Sequence, residues 1–228
     1  IFVTFLLIYL STFGIETVRF NSLLIDQVQK KDKDINLELK KIKIKLDIKN
    51  FKVLILTQTP TIKYKNTNLP FSEIKLFFTV SSLIKSKPYL VRSVIESKMI
   101  KIEDFQKILI KTKPSNYKSF VLNRISKGKV KGLLDLSFTD ELKVKNFDIE
   151  GRLDDTNIKL KDEIILKKVS LDFEAKNNLF LIKNLKANLD KINIENGKID
   201  VINNEEIKVK GSFNSILSLE SNDLKNIL

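Results

Sequence analysis

The chain has 228 residues, 43% of them hydrophobic and 30% charged, and a formal net charge of +13. That balance leaves enough apolar material for a sizeable folded body. Cysteine and histidine are both absent, which excludes disulfides, thiol chemistry, the usual zinc sites and the commonest general base.

The first fifteen residues, Ile1 to Ile15, read IFVTFLLIYLSTFGI and carry no charge. A spanning helix needs about 20 apolar residues, so the run is expected to be the outer part of a truncated transmembrane helix. Its anchoring side chains are Ile1, Phe2, Val3, Phe5, Leu6, Leu7, Ile8, Leu10 and Phe13. A signal peptide is the rival reading, and it needs a basic n-region and a small-residue cleavage site, for which Ser11-Thr12-Phe13-Gly14 is a poor substitute. A buried core helix is the third, although nothing polar patterns one face of the run.

Glu16 to Lys31 has helical spacing, with Phe20, Leu24 and Val28 four apart and Leu23 beside them, and predicts an amphipathic helix over 16–31. From residue 32 the period changes to two. Ile35, Leu37 and Leu39 alternate with polar residues. After Lys40-Lys41 the alternation resumes one step later, at Ile42, Ile44, Leu46 and Ile48. A slip of one residue reverses the faces, so a β-bulge or turn is expected at Lys40-Lys41.

Further strands are expected over 51–56, from Ile62, over 71–80 with Ile74, Leu76, Phe78 and Val80 on one face, and over 89–102. Turns fall at Thr59-Pro60 and over 66–70, and a short helical turn over 81–87. A helical insert at about 102–127 carries two apolar stripes. The first is Ile102, Phe105, Ile108 and Leu109; the second is Tyr117, Phe120, Val121 and Ile125, with Ser115 as N-cap and Gly128 as stop. From Lys129 the chain reads as a β-meander, with strands over 130–138, 142–153, 156–161, 164–175, 179–189, 192–201 and 207–213. Turn signals such as Thr139-Asp140, Asp154-Asp155 and Asn203-Asn204 separate them.

No stretch carries a recognisable chemistry. Gly128-Lys129-Val130-Lys131-Gly132 lacks the spacing and the following Ser/Thr of a P-loop. Asp154-Asp155 and Asp162-Glu163 pair carboxylates, as glycoside hydrolysis requires, but both sit where hairpin tips are expected. No catalytic residue, cofactor or metal is therefore expected, and no enzyme activity. The net charge suits an anionic partner, phospholipid head groups or nucleic acid. Lysines spaced singly between apolar residues, with no Arg-rich cluster or RNP-like motif, are the pattern of a solvated sheet face, so no nucleic-acid role is expected.

The fold class is thus mainly β with a few short helices, and more apolar strand faces than those helices can cover. Such faces must be buried against something. One solution is a closed β-sandwich. The other is a curved, open antiparallel sheet, a half-pipe following the transmembrane helix, whose apolar face solvates acyl chains at roughly 0.8 kcal/mol per buried CH₂. In the second, Ile44, Leu46, Phe78, Leu136, Leu171 and Phe173 line the groove while Lys43, Lys45 and Lys75 point to water.

An apolar leader, an amphipathic helix, strands with bulges, two helices and a lysine-flecked meander together resemble the AsmA-like family of bacterial envelope proteins, related in architecture to chorein-type bridge-like lipid-transfer proteins. The stretches that carry the likeness are IFVTFLLIYLSTFGIETVRFNSLL, KPSNYKSFVLNRISKGKVKGLLDL and LKVKNFDIEGRLDDTNIKLKDEIILKKVSLDFEA. The resemblance implies a single-pass inner-membrane anchor over 1–15 and an elongated periplasmic body over 32–228. It implies a groove that carries phospholipid towards the outer membrane, with phospholipid, membrane and envelope proteins as partners. The alternative is a membrane-anchored structural or assembly module that binds protein by strand addition at an open sheet edge.

Overall fold

The computed structural model describes residues 2–31, 33–65, 67–84, 89–111, 114, 116–141, 143–161, 163–203 and 206–217. In chain order the elements are α1 (Phe2–Thr12), β1 (Ile15–Thr17), α2 (Asn21–Lys31), β2 (Ile35–Glu38), β3 (Ile42–Asp47), β4 (Lys52–Gln58), β5 (Thr61–Tyr64), β6 (Thr67–Leu69), β7 (Phe71–Thr79), α3 (Val80–Ile84), β8 (Leu90–Ser97) and β9 (Ile100–Lys101). The insert supplies α4 (Ile102–Ile110), α5 (Asn116–Arg124) and β10 (Ile125–Ser126). The meander is β11 (Lys129–Phe138), β12 (Val144–Lys159), β13 (Ile165–Lys176), β14 (Leu179–Leu189), β15 (Ile192–Asn203) and β16 (Ile207–Leu217). The fold is mainly β. Its principal sheet has 13 strands in the order β1-β3-β4-β7-β8-β11-β12-β13-β14-β15-β16, with β9 beside β11 and β10 beside β12. The sheet is not closed, and β1 and β16 stand at its two ends. A second sheet joins β2, β5 and β6.

The chain divides into two compact units, Ile1–Lys98 with Gly132–Asp148, and Met99–Lys131 with Ile149–Leu228. In the first unit the apolar leader is helical for 11 residues, a rise of roughly 16 Å. No described helix is long and apolar enough to cross a membrane, so the expected transmembrane helix is present only as this shorter, exposed helix; Ile1 lies outside the described residues. The helix stops at Gly14, whose φ of +73° ends it in the left-handed region. The amphipathic helix expected over 16–31 begins only at Asn21. Ile15 to Thr17 are instead a strand paired with β3, Ile15 opposite Ile44 and Thr17 opposite Ile42. A ladder with an existing strand satisfies those backbone groups as fully as a helix would. Asn21 then closes the α2 entrance, its Nδ2 donating to the carbonyls of Leu39 and Lys40 at 3.0 and 2.6 Å.

The break expected at Lys40-Lys41 is there, and it is larger than a bulge: β2 belongs to the small sheet and β3 to the large one. The stretch over 66–70, expected as a turn, contains β6, which pairs Leu69 with Ile62 and Thr67 with Tyr64; Asn66 lies outside the described residues.

In the second unit α4 begins at Ile102 and carries the expected stripe. Gln106 Nε2 ties it to α5 and β10 by donating to the carbonyls of Val121 and Ile125 at 3.1 and 2.9 Å. Helix α5 ends at Arg124, so Gly128 is not its stop; with Lys127 it forms a left-handed turn between β10 and β11. The expected cap Ser115 lies outside the described residues. The main correction concerns Asp154-Asp155. There is no turn there, because β12 is one 16-residue strand. Asp155 takes φ +49° inside it, so two successive buried positions, Leu153 and Thr156, fall three residues apart. Left-handed residues recur at Lys168, Asn184 and Asn196 in β13, β14 and β15, where the registers shift between Lys167 and Ser170, Ile182 and Leu185, and Glu195 and Lys198. Each is an extra residue that bends its strand and re-aims side chains.

The core of this unit is Ile102, Ile125, Val130, Leu153, Val169, Leu171, Leu185 and Ala187, with Phe105 of α4 and Val121 of α5 packed on it. Thr156, fully buried, donates its hydroxyl to the carbonyl of Val169 at 3.1 Å. Gly151 leaves space that Phe173 fills: an added Cβ would lie 2.2 Å from the Phe173 ring.

Two changes follow. Gly14→Ala forces a left-handed Cβ to within 2.5 Å of the Ile44 carbonyl oxygen and should lower stability by about 1–3 kcal/mol, measured by urea denaturation followed by circular dichroism. Phe173→Glu puts a carboxylate against this core and should destabilise the protein by about 3 kcal/mol or more, seen as a large fall in melting temperature.

Candidate functional site

Residues directly opposed in an antiparallel ladder share a face, so the registers of the first unit define its two faces. One row runs Ile15, Ile44, Ile55, Leu76, Ser93, Leu136 across β1, β3, β4, β7, β8 and β11. The neighbouring row on one side is Thr17, Ile42, Thr57, Ile74, Ile95, Leu134. On the other side it is Leu46, Val53, Phe78, Leu90. At 4.7–4.9 Å between strands, the first row extends for roughly 24 Å at right angles to the chain direction. Charged side chains are absent from all three rows.

The opposite face carries the charge. Lys43, Leu56, Lys75, Val94 and Asp135 form one of its rows, and Lys45, Leu54, Phe77, Arg92 and Ser137 the next. Arg92 sits 5.3 Å over the Phe77 ring and is held by the Asp135 carboxylate, Nε to Oδ1 at 2.8 Å. That hydrogen bond raises the guanidinium pKa above its ordinary value. Lys75 pairs with Glu73. Lys45 reaches round to donate from Nζ to the carbonyl of Thr12 at 2.9 Å, a favourable place for a cation because the carbonyls at a helix C-terminus are unsatisfied.

Exposure distinguishes the apolar face of this unit from the core of the other. Val169 and Leu171, beneath the helices, are 0% and 6% exposed. Ile44, Ile55, Leu76, Leu136, Leu46, Val53, Phe78 and Leu90 are all half-buried, and Ile15 at the α1 end is 46% exposed. In the neighbouring row only Ile42 and Thr57 are buried, and Ser93 alone in the first. Helix α1, which precedes β1, also exposes apolar side chains, Phe2, Val3, Phe5, Leu6, Leu7, Ile8 and Phe13, with Leu10 half-buried.

Of the expected groove residues, Ile44, Leu46, Phe78 and Leu136 therefore fall on one half-buried apolar face, with Lys43, Lys45 and Lys75 on the other. Leu171 and Phe173 belong to the second unit, where Leu171 is a core residue and Phe173 lies over Gly151. The expected lining leaves out Ile15, Val53, Ile55 and Leu134. Ile15 reads as part of the leader, and Val53 to Leu56 is a continuous apolar run without alternation to show its faces.

The acidic pair Asp154-Asp155 borders an open cleft of the second unit together with Lys101, Glu103, Asp104, Lys107, Gly128 and Lys129. The Asp154 carboxylate is engaged: it accepts from the Ser170 hydroxyl at 3.1 Å and lies 3.8 Å from Arg152. The Lys107 ammonium, 2.7 Å away, holds the Asp104 carboxyl below the usual carboxylate range. Among the described residues no group of three or more acidic side chains converges to hold a metal ion. Comparison of the chain with protein-family models, curated proteins and solved structures returned no match.

Proposed function

We propose that this is a membrane-anchored lipid-binding protein of the bacterial envelope, which takes phospholipid acyl chains along the apolar face of its N-terminal unit and passes them between the inner and outer membranes. In this reading α1 sits in the inner membrane and the β-rich body in the periplasm. The observation that carries it is the uncharged row from Ile15 to Leu136, whose apolar members from Ile44 to Leu136 are half-buried, and which begins in β1 directly after α1 with its exposed apolar side chains. Protein side chains cover the corresponding face of the second unit, and acyl chains would do so here. Each CH₂ taken from water contributes roughly 0.8 kcal/mol. The lysines on the opposite face leave the row free of charge while favouring anionic surroundings. The resemblance to AsmA-like proteins agrees with the same arrangement.

Crosslinking to a photoreactive phospholipid tests the reading. The unmodified protein should crosslink through residues of the row, and Leu76→Glu should reduce the yield at least tenfold, because a carboxylate among lipid tails has no partner. Leu76 is no part of the buried core on which Phe173 packs, so melting should fall less than in Phe173→Glu. A protein that takes no lipid, or a Leu76→Glu variant that unfolds as a core mutant would, rejects the groove. Carbonate extraction checks the anchor separately: the protein should stay with the membrane pellet, and its release into the soluble fraction overturns the placement of α1.

A further inference from the structure

We infer that the β3–β4 turn is a membrane-docking tip, which inserts the Phe51 ring into the surface of an anionic phospholipid bilayer while Lys49 and Lys52 meet its head groups. The turn comprises Ile48, Lys49, Asn50 and Phe51, between Asp47 and Lys52 at the paired ends of the two strands. Phe51 is 72% exposed and Ile48 41%. Phe51 also has a φ of +50°. That left-handed conformation suits glycine or asparagine, and a bulky residue rarely takes it. Asn50 stands one position earlier, yet the left-handed position is occupied by a large apolar ring that the fold does not bury.

The tip is held in shape. Asn50 donates from its backbone N–H and from Nδ2 to the Asp47 carboxylate, at 3.1 and 2.8 Å. The Phe51 carbonyl accepts from the Val80 N–H at 3.1 Å. Asp47 is the only acid between Ile42 and Val53, and the hydrogen bonds from Asn50 hold its carboxyl below the usual carboxylate range. Lys49 and Lys52 form no ion pair among the described residues. An exposed aromatic ring between two such lysines has the chemistry of an interfacial anchor. The ring enters the boundary between head groups and acyl chains, and the ammonium groups stay with the phosphates. A net charge of +13 adds to the attraction of an anionic surface and opposes the approach of a second copy.

The place of the tip in the fold agrees. Ile48 follows Leu46 by two residues and Phe51 precedes Val53 by two, so the tip continues the sequence parity of the apolar row Leu46, Val53, Phe78, Leu90. The acidic Asp140 and Glu141 belong to the turn after β11, three strands further along the sheet than β4. Helix α1 joins the sheet beside Lys45, two residues from the end of β3. The choice of membrane rests on the reading of α1 as the anchor: helix and tip then meet the same bilayer.

Tryptophan is absent from the chain, so Phe51→Trp gives a single reporter at the tip. The whole chain carrying it is reconstituted in liposomes of phosphatidylcholine, alone or mixed with phosphatidylglycerol, with lipids brominated near the glycerol end of the acyl chains. With the anionic lipid the indole emission should move to shorter wavelength and be quenched. Removing both charges, by Lys49→Gln with Lys52→Gln, should cut the quenching about threefold. Phe51→Asn should melt no lower than the unmodified protein, since asparagine accepts the left-handed backbone. Absence of quenching in liposomes that carry the protein on flotation overturns the docking tip and leaves the anchoring helix standing; loss of the protein from the floated liposomes overturns both. Quenching indifferent to the anionic lipid and to the lysines also overturns the inference. So does a large fall in the melting temperature of Phe51→Asn, which would make Phe51 a packing residue.

Discussion

In the N-terminal unit the ladder register from β1 to β11 decides which side chains share a face, because backbone groups taken from water must be paired and the pairing leaves each residue only two directions. Ile44 lies opposite Ile55 and Ile55 opposite Leu76; a one-residue slip of β3, β7 or β8 in the direction that admits Lys43, Lys75 or Arg92 would put a charge in the apolar row. The register shift between Phe77 and Phe78 works in the same sense. It leaves Val91 as an extra residue and sets Phe78 against Leu90, so the apolar face persists where the polar one carries Arg92. The charge of the unit is therefore partitioned by geometry, although charged and apolar residues are neighbours in sequence, as in the IKIKLD of β3.

The two units solve the same physical problem differently. A sheet with one apolar face has to cover it. In the C-terminal unit α4 and α5 do this, and the left-handed residues at Asp155, Lys168, Asn184 and Asn196 adjust the strands beneath them so that Leu153, Thr156, Val169 and Leu171 meet one core. In the N-terminal unit the equivalent rows stay half-buried. Burying the same side chains against protein would have made an ordinary core; leaving them partly open preserves a surface that an apolar ligand would cover at a gain in free energy.

The junction at Gly14 links that surface to α1. Its left-handed backbone lets the chain leave the helix and enter the β1–β3 ladder within two residues, with its Cα against the Ile44 carbonyl. Lys45, from the charged face, donates to the carbonyl of Thr12, the last residue of α1. The helix is thus fastened to the β1–β3 end of the sheet and not tethered by a linker.

Much of this was legible in the amino-acid sequence. Period-two alternation located most strands within a residue or two, and β14 at its observed ends. The stripe of Ile102, Phe105, Ile108 and Leu109 located α4, and the odd-to-even step at Lys40-Lys41 marked the change of sheet. Alternation also placed Ile44, Leu46, Phe78 and Leu136 on one side of their strands and Lys43, Lys45 and Lys75 on the other. These are local properties, set by side-chain chemistry and the geometry of one strand or one helix. Long-range contacts determined the rest. Glu16 and its neighbours fit a helical pattern until β3 offers them a ladder. Asp154-Asp155 has the composition of a hairpin tip, and only the strands on either side make it a bulge in β12. Leu171 and Leu76 have the same pattern in sequence, and only the presence or absence of a covering helix made one a core residue and left the other half-buried, because burial depends on what packs across a face and alternation records only that the face exists.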